Sequence, residues 1–413
     1  MPYWNVNYNY LLMVFEPDSF KAEQGDIPIR MDYSDLAQFK QINAIIERDS
    51  KDATYKFALL RGAIEISQKY DHLKRDTGDR VEFPLGLLVE KWLLYYYPLI
   101  AGPDFIPQKN GESKNSQYQI AFRKSFRKVT EYYDTRGGFS AFYSDYVNGN
   151  IPHEIKPSFR DLVSDLKTTI TGMPMKHLGY SVYHQHYSLF KDEKGGRRIP
   201  GDAPISQELL IQNLGYFSFS KELYTVFRYL GSFISGEDSL LFQWAEFTRS
   251  ASKGDISVEY ALEKIRTFPI TERDVGPAKS FYENLFKKEE YIECVWSGKP
   301  QRTMKSVHID HFIPFSVWKN NDLWNLLPAS NQVNMDKKDK IPKPEFIDER
   351  KIAIKKYWSQ LRKDYPKKFE RELSISLTGT IDPQLDWQEI AIEHLKEKCA
   401  YLIDVRGFDA WSL

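Results

Sequence analysis

Apolar residues recur at intervals of three and four along most of the chain, which is the period of an amphipathic helix. The first such pattern follows Ser34, a residue type that favours the N-cap of a helix, and includes Leu36, Phe39 and Ile42. Polar or irregular stretches at residues 108–116, 192–202 and 374–383 are expected to form loops. Further helices are predicted at residues 57–66, 84–98, 122–133, 223–230, 240–247, 258–265, 277–291, 352–361 and 390–402.

One short segment departs from the helical period. Residues Val307–Phe312 alternate apolar and polar side chains, which fits a strand, and Leu323–Pro328 has the pattern of a second strand. A helix should begin near Ala329 or Ser330. We therefore predict a mainly α fold with one small embedded strand–strand–helix (ββα) module.

Basic residues lie off the apolar stripe of the helix predicted at residues 122–133. Arg123, Lys124, Arg127 and Lys128 could form a face that contacts phosphates, or they could be the solvated face of a surface helix. Amphipathic surface helices are common, so the pattern favours the second interpretation.

Composition and charge narrow the class of protein. A chain of 413 residues suggests two domains, or one large domain with a small module. The 57 basic and 57 acidic residues balance, so any contact with nucleic acid must come from local basic faces. No apolar run reaches the roughly 20 residues that span a membrane, and the first residues do not have the pattern of a signal peptide. The only cysteines, Cys294 and Cys399, suit a reducing cytoplasm.

Polar residues with catalytic chemistry concentrate in the predicted module. Asp310 and His311 are adjacent, and Pro314 follows three residues after the histidine. Asn325 comes 14 residues after His311, and Asn334 comes nine residues after Asn325. Lys337, Lys338, Asp339, Lys340 and Pro342 then complete the run.

This run resembles the HNH endonuclease family. The matching patterns are Asp-His-x-x-Pro on the first strand, Asn-Leu on the second, and Asn-x-x-Lys-x-Asp-x-x-Pro on the helix and its exit. The resemblance covers about 50 residues, Cys294–Pro342. It is similar, more specifically, to bacterial HNH proteins with long helical N-terminal regions, through Trp318, Asn320, Asn321, Asp322 and Trp324.

The resemblance implies a metal-dependent site. Asp310 and Asn334 would supply oxygen ligands to Mg²⁺ or Mn²⁺, with His311 as general base. Asn325 would fix the hairpin and orient His311. Lys337 would contact a phosphate or support the site, and His308 would be an alternative or supporting residue. Taken singly, each residue has an ordinary structural role, such as a packed histidine or a turn asparagine; together they favour a nuclease.

One feature of many HNH proteins is missing from this sequence. A zinc ion held by two Cys-x-x-Cys pairs often braces the fold, but here Ser297, Ser330 and Val333 stand at three of the four positions and only Cys294 remains. We therefore expect no structural zinc. Packing by Trp296, Trp318 and Trp324 would replace it.

The predicted function is cleavage of DNA by a divalent-metal-dependent endonuclease, in restriction or anti-phage defence. The alternatives are a regulatory protein that binds nucleic acid or a partner and has an inert or partner-activated HNH module, and an RNA nuclease. We expect a helical region at residues 1–290 that binds a partner protein, a defence complex or DNA. The HNH module is expected at residues 291–345, followed by C-terminal helices at 346–413 that pack on the body.

Overall fold

The architecture is that of a computed structural model, which describes residues 33–183, 189–193, 195–197, 199, 203–234 and 240–413. Expectations for the residues before Tyr33, and for the side chain of Ser34, lie outside this part of the chain. The prediction of a mainly α fold with a small embedded module is confirmed. The helices span Tyr33–Arg48, Tyr55–Lys69, Leu85–Ile100, Arg123–Asp134, Gly138–Asn148, Lys156–Gly172, Pro174–His177, Tyr180–Tyr183, Gln207–Asn213, Lys221–Ile234, Phe242–Ala251, Val258–Arg266, Gly276–Glu289, Phe315–Trp318, Asn331–Lys337, Pro344–Asp364, Pro366–Leu373 and Trp387–Ala400.

Shorter helical turns and strands connect these helices. The turns are Asp71–Leu73, Met304–Ser306, Leu323–Asn325, Ser374–Thr378 and Tyr401–Val405. The strands are Arg75–Asp76, Arg80–Pro84, Lys191–Glu193, Tyr216–Ser220, Ile292–Glu293, Pro300–Gln301, Val307–His311, Leu326–Ser330, Ile341–Pro342 and Ala410–Trp411.

A four-stranded antiparallel sheet in the N-terminal half was not predicted. Its central strands are Arg80–Pro84 and Tyr216–Ser220, which pair directly. Lys191–Glu193 pairs with Tyr216–Ser220 at one edge, so the prediction of a loop beginning at residue 192 was wrong there. Because these strands pair over long sequence separations, tertiary contacts decide them and local pattern does not.

The helix Leu85–Ile100 lies at the centre of the N-terminal half, and all of its residues are buried. The sequence predicted that it would stop near Pro98, but it continues to Ile100, and the amide of Ala101 still bonds to the carbonyl of Tyr97 at 2.9 Å. Packing on every side of the helix outweighs the local cost of the proline. None of the helices in the described ranges has the length and apolarity needed to cross a bilayer.

The predicted basic face of the helix Arg123–Asp134 is only partly solvated. Arg123 is buried, and its guanidinium Nε lies 2.6 Å from Oε1 of Glu112, which is also buried. Lys124 is exposed and Arg127 pairs with Glu131 on the surface. The basic face is therefore smaller than predicted, because Arg123 is not on the surface but forms a buried ion pair with Glu112.

Buried apolar side chains form two clusters. The first runs from Ile42 to Ile265 and the second from Ala278 to Trp411. The second cluster contains the helix Gly276–Glu289, the predicted module and the C-terminal helices, which therefore share one core.

Polar contacts join the two clusters. The ammonium of Lys398 donates to the carbonyl of Lys69 at 2.7 Å, and the hydroxyl of Tyr401 donates to the carbonyl of Arg228 at 3.0 Å. The guanidinium of Arg228 also lies over the Tyr401 ring, 4.3 Å from its centre. The C-terminal residues thus contact both halves of the molecule.

Candidate functional site

A two-stranded antiparallel hairpin and one short helix form the predicted module. Val307–His311 pairs with Leu326–Ser330, so that Asp310 lies opposite Leu327. The second strand begins three residues later than predicted, because Leu323–Asn325 forms a helical turn. The helix Asn331–Lys337 begins where predicted.

A local capping interaction sets the start of that helix. The side-chain oxygen of Ser330 accepts a hydrogen bond from the amide of Val333, which satisfies one of the free donors at the helix N-terminus. The helix therefore leaves the end of the second strand at once. This short connection brings Asn334 beside the first strand, where it lines a cavity with Asp310.

Three of the predicted residues line one cavity of approximately 390 Å³. Asp310 and His311 are neighbours on a strand, where successive side chains normally point to opposite faces. Both nevertheless line this cavity, together with Asn334 from the helix. The other lining residues are Arg273, Pro314, Phe315, Ser316, Lys319 and Lys338.

The Asp310 carboxylate is 4% exposed and is held by two donors. The indole Nε1 of Trp296 donates to Oδ2 at 2.8 Å, and the ammonium of Lys337 lies 3.2 Å from the same oxygen. Lys337 is fully buried and also donates to the carbonyl of His311 at 2.8 Å. Lys337 therefore supports Asp310 and His311. Its ammonium is enclosed within the protein and does not reach the solvent-exposed surface on which a substrate phosphate would bind, so a phosphate contact by Lys337 does not fit the structure.

His311 is 2% exposed, and its Nε2 lies 3.2 Å from Oδ1 of Asn321. The backbone fixes the Asn321 amide, because Nδ2 donates to the carbonyl of Glu272 at 2.8 Å and Oδ1 accepts from the amide of Asp274 at 3.0 Å. Nε2 must then be the protonated nitrogen of a neutral ring. The other ring nitrogen, Nδ1, is buried and has no hydrogen-bond partner within the described residues.

Burial lowers the pKa of His311 below its ordinary value. The hydrogen bond that Nε2 donates to Asn321 and the charge of Asp310 oppose this shift, while the charges of Arg273 and Lys337 add to it. The imidazole is therefore neutral near pH 7, with Nδ1 as the nitrogen that carries the lone pair.

Asn325 is fully buried and braces the chain that follows His311. Its side-chain Oδ1 accepts from the amide of Ile313 at 2.8 Å, and its Nδ2 donates to the carbonyl of the same residue at 3.0 Å. Its own carbonyl accepts from the amide of Phe312 at 2.7 Å. Asn325 thus fixes the loop next to His311 and has no exposed surface with which to touch a substrate.

His308 is separate from these residues. It is half-buried and lines a second cavity of approximately 590 Å³, which it shares with Lys305 and other residues. Arg273 and Asn334 line both cavities, so the two adjoin. The structure therefore places His308 beside the site but not in the cavity of Asp310 and His311.

The residues present fit a hard divalent ion that keeps several waters. The carboxylate of Asp310 and the amide of Asn334 supply oxygen atoms, the ligand type that Mg²⁺ prefers. Each carboxylate oxygen has more than one lone pair, so the bonds from Trp296 and Lys337 leave acceptor capacity. No group of three or more His, Cys, Asp or Glu side chains gathers as a metal site in the described part of the chain.

Aromatic packing surrounds the turn that begins at Cys294. The amide of Cys294 bonds to the carbonyl of Lys299 at 3.0 Å, which closes a tight turn between two short strands. Trp296 projects from this turn and is fully buried, with Phe312 4.9 Å and Trp411 5.2 Å from its ring centre. The turn therefore positions the indole that donates to Asp310.

Two site residues were missed at the sequence level. Asn321 was noted only as part of a general similarity, and Arg273 not at all. Their roles depend on the chain at residues 272–274, which lies against the connection between the two hairpin strands. No spacing pattern links these two segments, which are about 50 residues apart, so local sequence carries no signal for the contact.

Two protein families match the chain. A domain of unknown function (DUF8808) matches residues 35–265, more than half of the chain, and an HNH endonuclease family matches residues 294–343. No curated protein and no solved structure matches it. The first match covers nearly the same residues as the first apolar cluster, and the second match contains the hairpin and helix of the site. The chain therefore belongs to the family of this domain of unknown function, and its residues 294–343 are similar to HNH endonucleases.

Proposed function

We propose that the protein is a metal-dependent endonuclease that hydrolyses phosphodiester bonds in DNA. The observation that carries the proposal is the shared cavity of Asp310, His311 and Asn334 inside the segment similar to HNH endonucleases. The proposal keeps the setting expected from the sequence, restriction or anti-phage defence in the cytoplasm. Two free, buried cysteines are compatible with a reducing compartment.

The geometry supports a distinct role for each residue. His311 would accept a proton from the attacking water at Nδ1, and Asn321 would hold the ring through Nε2. General-base catalysis of this kind typically contributes about 10²–10⁴-fold. Asp310 and Asn334 would hold Mg²⁺ or Mn²⁺, which when bound supplies positive charge beside the charge that develops on the phosphate. Lys337 would hold the Asp310 carboxylate in place through their ion pair.

The alternative, a module that becomes active only with a partner, also has a supporting observation. His311 is almost fully buried, and the amide of Asn321 that bonds its ring is itself held by the chain at residues 272–274. That chain leads directly from the first apolar cluster into the second. A partner bound to the N-terminal region could shift this chain and expose the ring.

We also propose a division of the chain that follows the two clusters. The helix Gly276–Glu289 and the C-terminal helices share the core of the HNH-like segment. We therefore take residues 276–413 as one nuclease unit, in place of a module of residues 291–345 and C-terminal helices at 346–413 that pack on the body. The N-terminal unit would bind the partner or regulatory signal.

Cleavage of supercoiled plasmid, single-stranded DNA and RNA by the full chain tests the function. We expect nicked or linear plasmid with Mg²⁺ or Mn²⁺ and none with a chelator. If the protein cleaves RNA and neither form of DNA, its substrate is RNA and not DNA. Activity in the chelator would contradict the metal site, and inactivity on all three substrates would favour the partner-activated alternative.

A further inference from the structure

Three cationic side chains from three separate elements surround the cavity of Asp310 and His311. Arg273 comes from the chain between the two clusters, Lys319 follows the helix Phe315–Trp318, and Lys338 follows the helix Asn331–Lys337. All three are exposed. Arg273 lies outside both segments that match known families.

These three cations are free to contact a ligand, whereas Lys337 is buried and paired. Within the described residues, no side-chain hydrogen bond or ion pair engages Arg273, Lys319 or Lys338, although the Lys319 ammonium lies over the Phe315 ring at 5.5 Å. Among the described residues that line the same cavity, Asp310 is the only carboxylate, and it is already paired with Lys337. The cavity mouth therefore has unneutralised positive charge.

The backbone at two of these lysines is unusual. Among the described residues, positive φ outside glycine occurs at four positions, and two of them are Lys319 (φ 56°) and Lys338 (φ 51°). Each ends a short helix, where glycine or asparagine is the usual choice because a Cβ is disfavoured there. A long cationic side chain thus stands at two helix ends beside the same cavity, at positions where glycine would fit the backbone.

The second cavity extends this positive surface. Arg273 and Asn334 line both cavities, and the second adds Lys279 and Lys305, with Glu283 as its one acidic residue. Lys279 and Lys305 are exposed. The two adjoining cavities therefore share a cationic lining that continues beyond the cavity of Asp310 and His311.

We propose that Arg273, Lys319 and Lys338 bind the phosphates of a DNA backbone on either side of the bond presented to His311. The inference rests on the proposed function and assigns its substrate contacts. Because phosphate contacts release counterions from DNA, their loss weakens binding and flattens its salt dependence.

Glycine substitutions give a test that separates charge from folding. K319G and K338G remove an ammonium at positions whose dihedral angles glycine adopts without strain, so neither should lower the melting temperature. K253G is the matched control, because Lys253 is also an exposed lysine at positive φ (57°) and follows a helix of the first cluster. R273Q removes the third charge.

Binding of a fluorescein-labelled DNA duplex to the full chain, measured by anisotropy in a chelator, reports contacts without cleavage. We expect K319G, K338G and R273Q each to bind about five- to tenfold more weakly than the parent near 0.1 M salt, with a log–log salt slope smaller by about 0.9. K253G should bind like the parent.

The outcomes separate this inference from the proposed function. If the parent binds DNA and the three variants bind as K253G does, the phosphate contacts are wrong, whether or not the parent cleaves. If the parent binds, the variants weaken, and no metal allows cleavage, the contacts stand and the proposed activity fails. A parent that does not bind DNA overturns the inference.

Discussion

Lys337 and Asp310 form a buried ion pair at the centre of the site, in which Lys337 is fully enclosed and Asp310 borders the cavity. Taking two charges out of water is costly, and mutual attraction repays the cost only when the geometry is good and further hydrogen bonds are made. Trp296 and the carbonyl of His311 supply those bonds. The ion pair therefore holds the metal-ligand candidate in place before any ion binds.

Replacing Lys337 by methionine should destabilise the protein strongly. The substitution keeps a chain of similar length but leaves the buried Asp310 carboxylate without its cation, for which a loss of about 3–5 kcal/mol in the free energy of unfolding is typical. Urea denaturation in a chelator measures it. The double variant K337M/D310N should recover much of the loss, because the amide that replaces the carboxylate carries no charge.

If K337M is as stable as the parent, the ammonium does not neutralise Asp310. A double variant as unstable as K337M would mean that lost packing, and not an unpaired charge, causes the effect. Either result would remove the assigned supporting role of Lys337.

At the scale of elements, sequence predicted the parts whose signals are local. The strand Val307–His311 is visible in the sequence as an alternation of apolar and polar residues. The helix after Ser330 is visible as an N-cap residue followed by a helical pattern. Leu323–Asn325 was taken for the start of the strand because it begins with two apolar residues, Leu323 and Trp324, although it forms a buried helical turn. The sheet of Arg80–Pro84 depends on a partner strand more than 100 residues away, which no local pattern could indicate.

A partly buried carboxyl pair joins the connection between the two hairpin strands to the helix Pro366–Leu373. The hydroxyl of Ser376 donates to Asp322 at 2.6 Å, and the amide of Leu323 donates to Glu372 at 2.8 Å. Burial raises the pKa of Asp322 to about 6. Burial and then the charge of Asp322 raise the pKa of Glu372 to about 7. The folded protein therefore retains a proton here that the unfolded chain releases.

The pair should make the protein less stable as the pH rises. Unfolded carboxyl groups titrate near about pH 4, so between about pH 4 and 7 the folded state binds more protons, and stability falls across that window. Glu372→Gln keeps an acceptor for Leu323 and removes one charge. We expect E372Q to be more stable than the parent by about 1 kcal/mol at pH 8, with little difference at pH 4.

Thermal unfolding of the parent and E372Q between pH 4 and 8 measures this difference. Glu370→Gln is a suitable control, since Glu370 is exposed on the same helix. A stability difference between E372Q and the parent that does not change with pH would show that the pair does not share a proton.

At the scale of the whole molecule, the HNH-like segment is a small part of a larger core. Residues 294–343 supply the hairpin and the helix, but helices on both sides of the segment fill the same apolar cluster. Asn321 and Arg273 show why the site could be predicted only in part. Asp310, His311, Asn325 and Asn334 follow a spacing pattern, whereas Asn321 and Arg273 depend on how the connecting chain lies across the module.

The central claim is that His311 activates water for phosphodiester cleavage, and one comparison tests it most directly. The initial rate of nicking of supercoiled plasmid with Mg²⁺ would be measured for the parent, H311A and H153A, with the melting temperature of each. His153 is an exposed histidine in the N-terminal half and serves as the control. We predict that H311A remains folded and nicks at least about 100-fold more slowly, while H153A matches the parent. Folded H311A that nicks as fast as the parent would contradict the account.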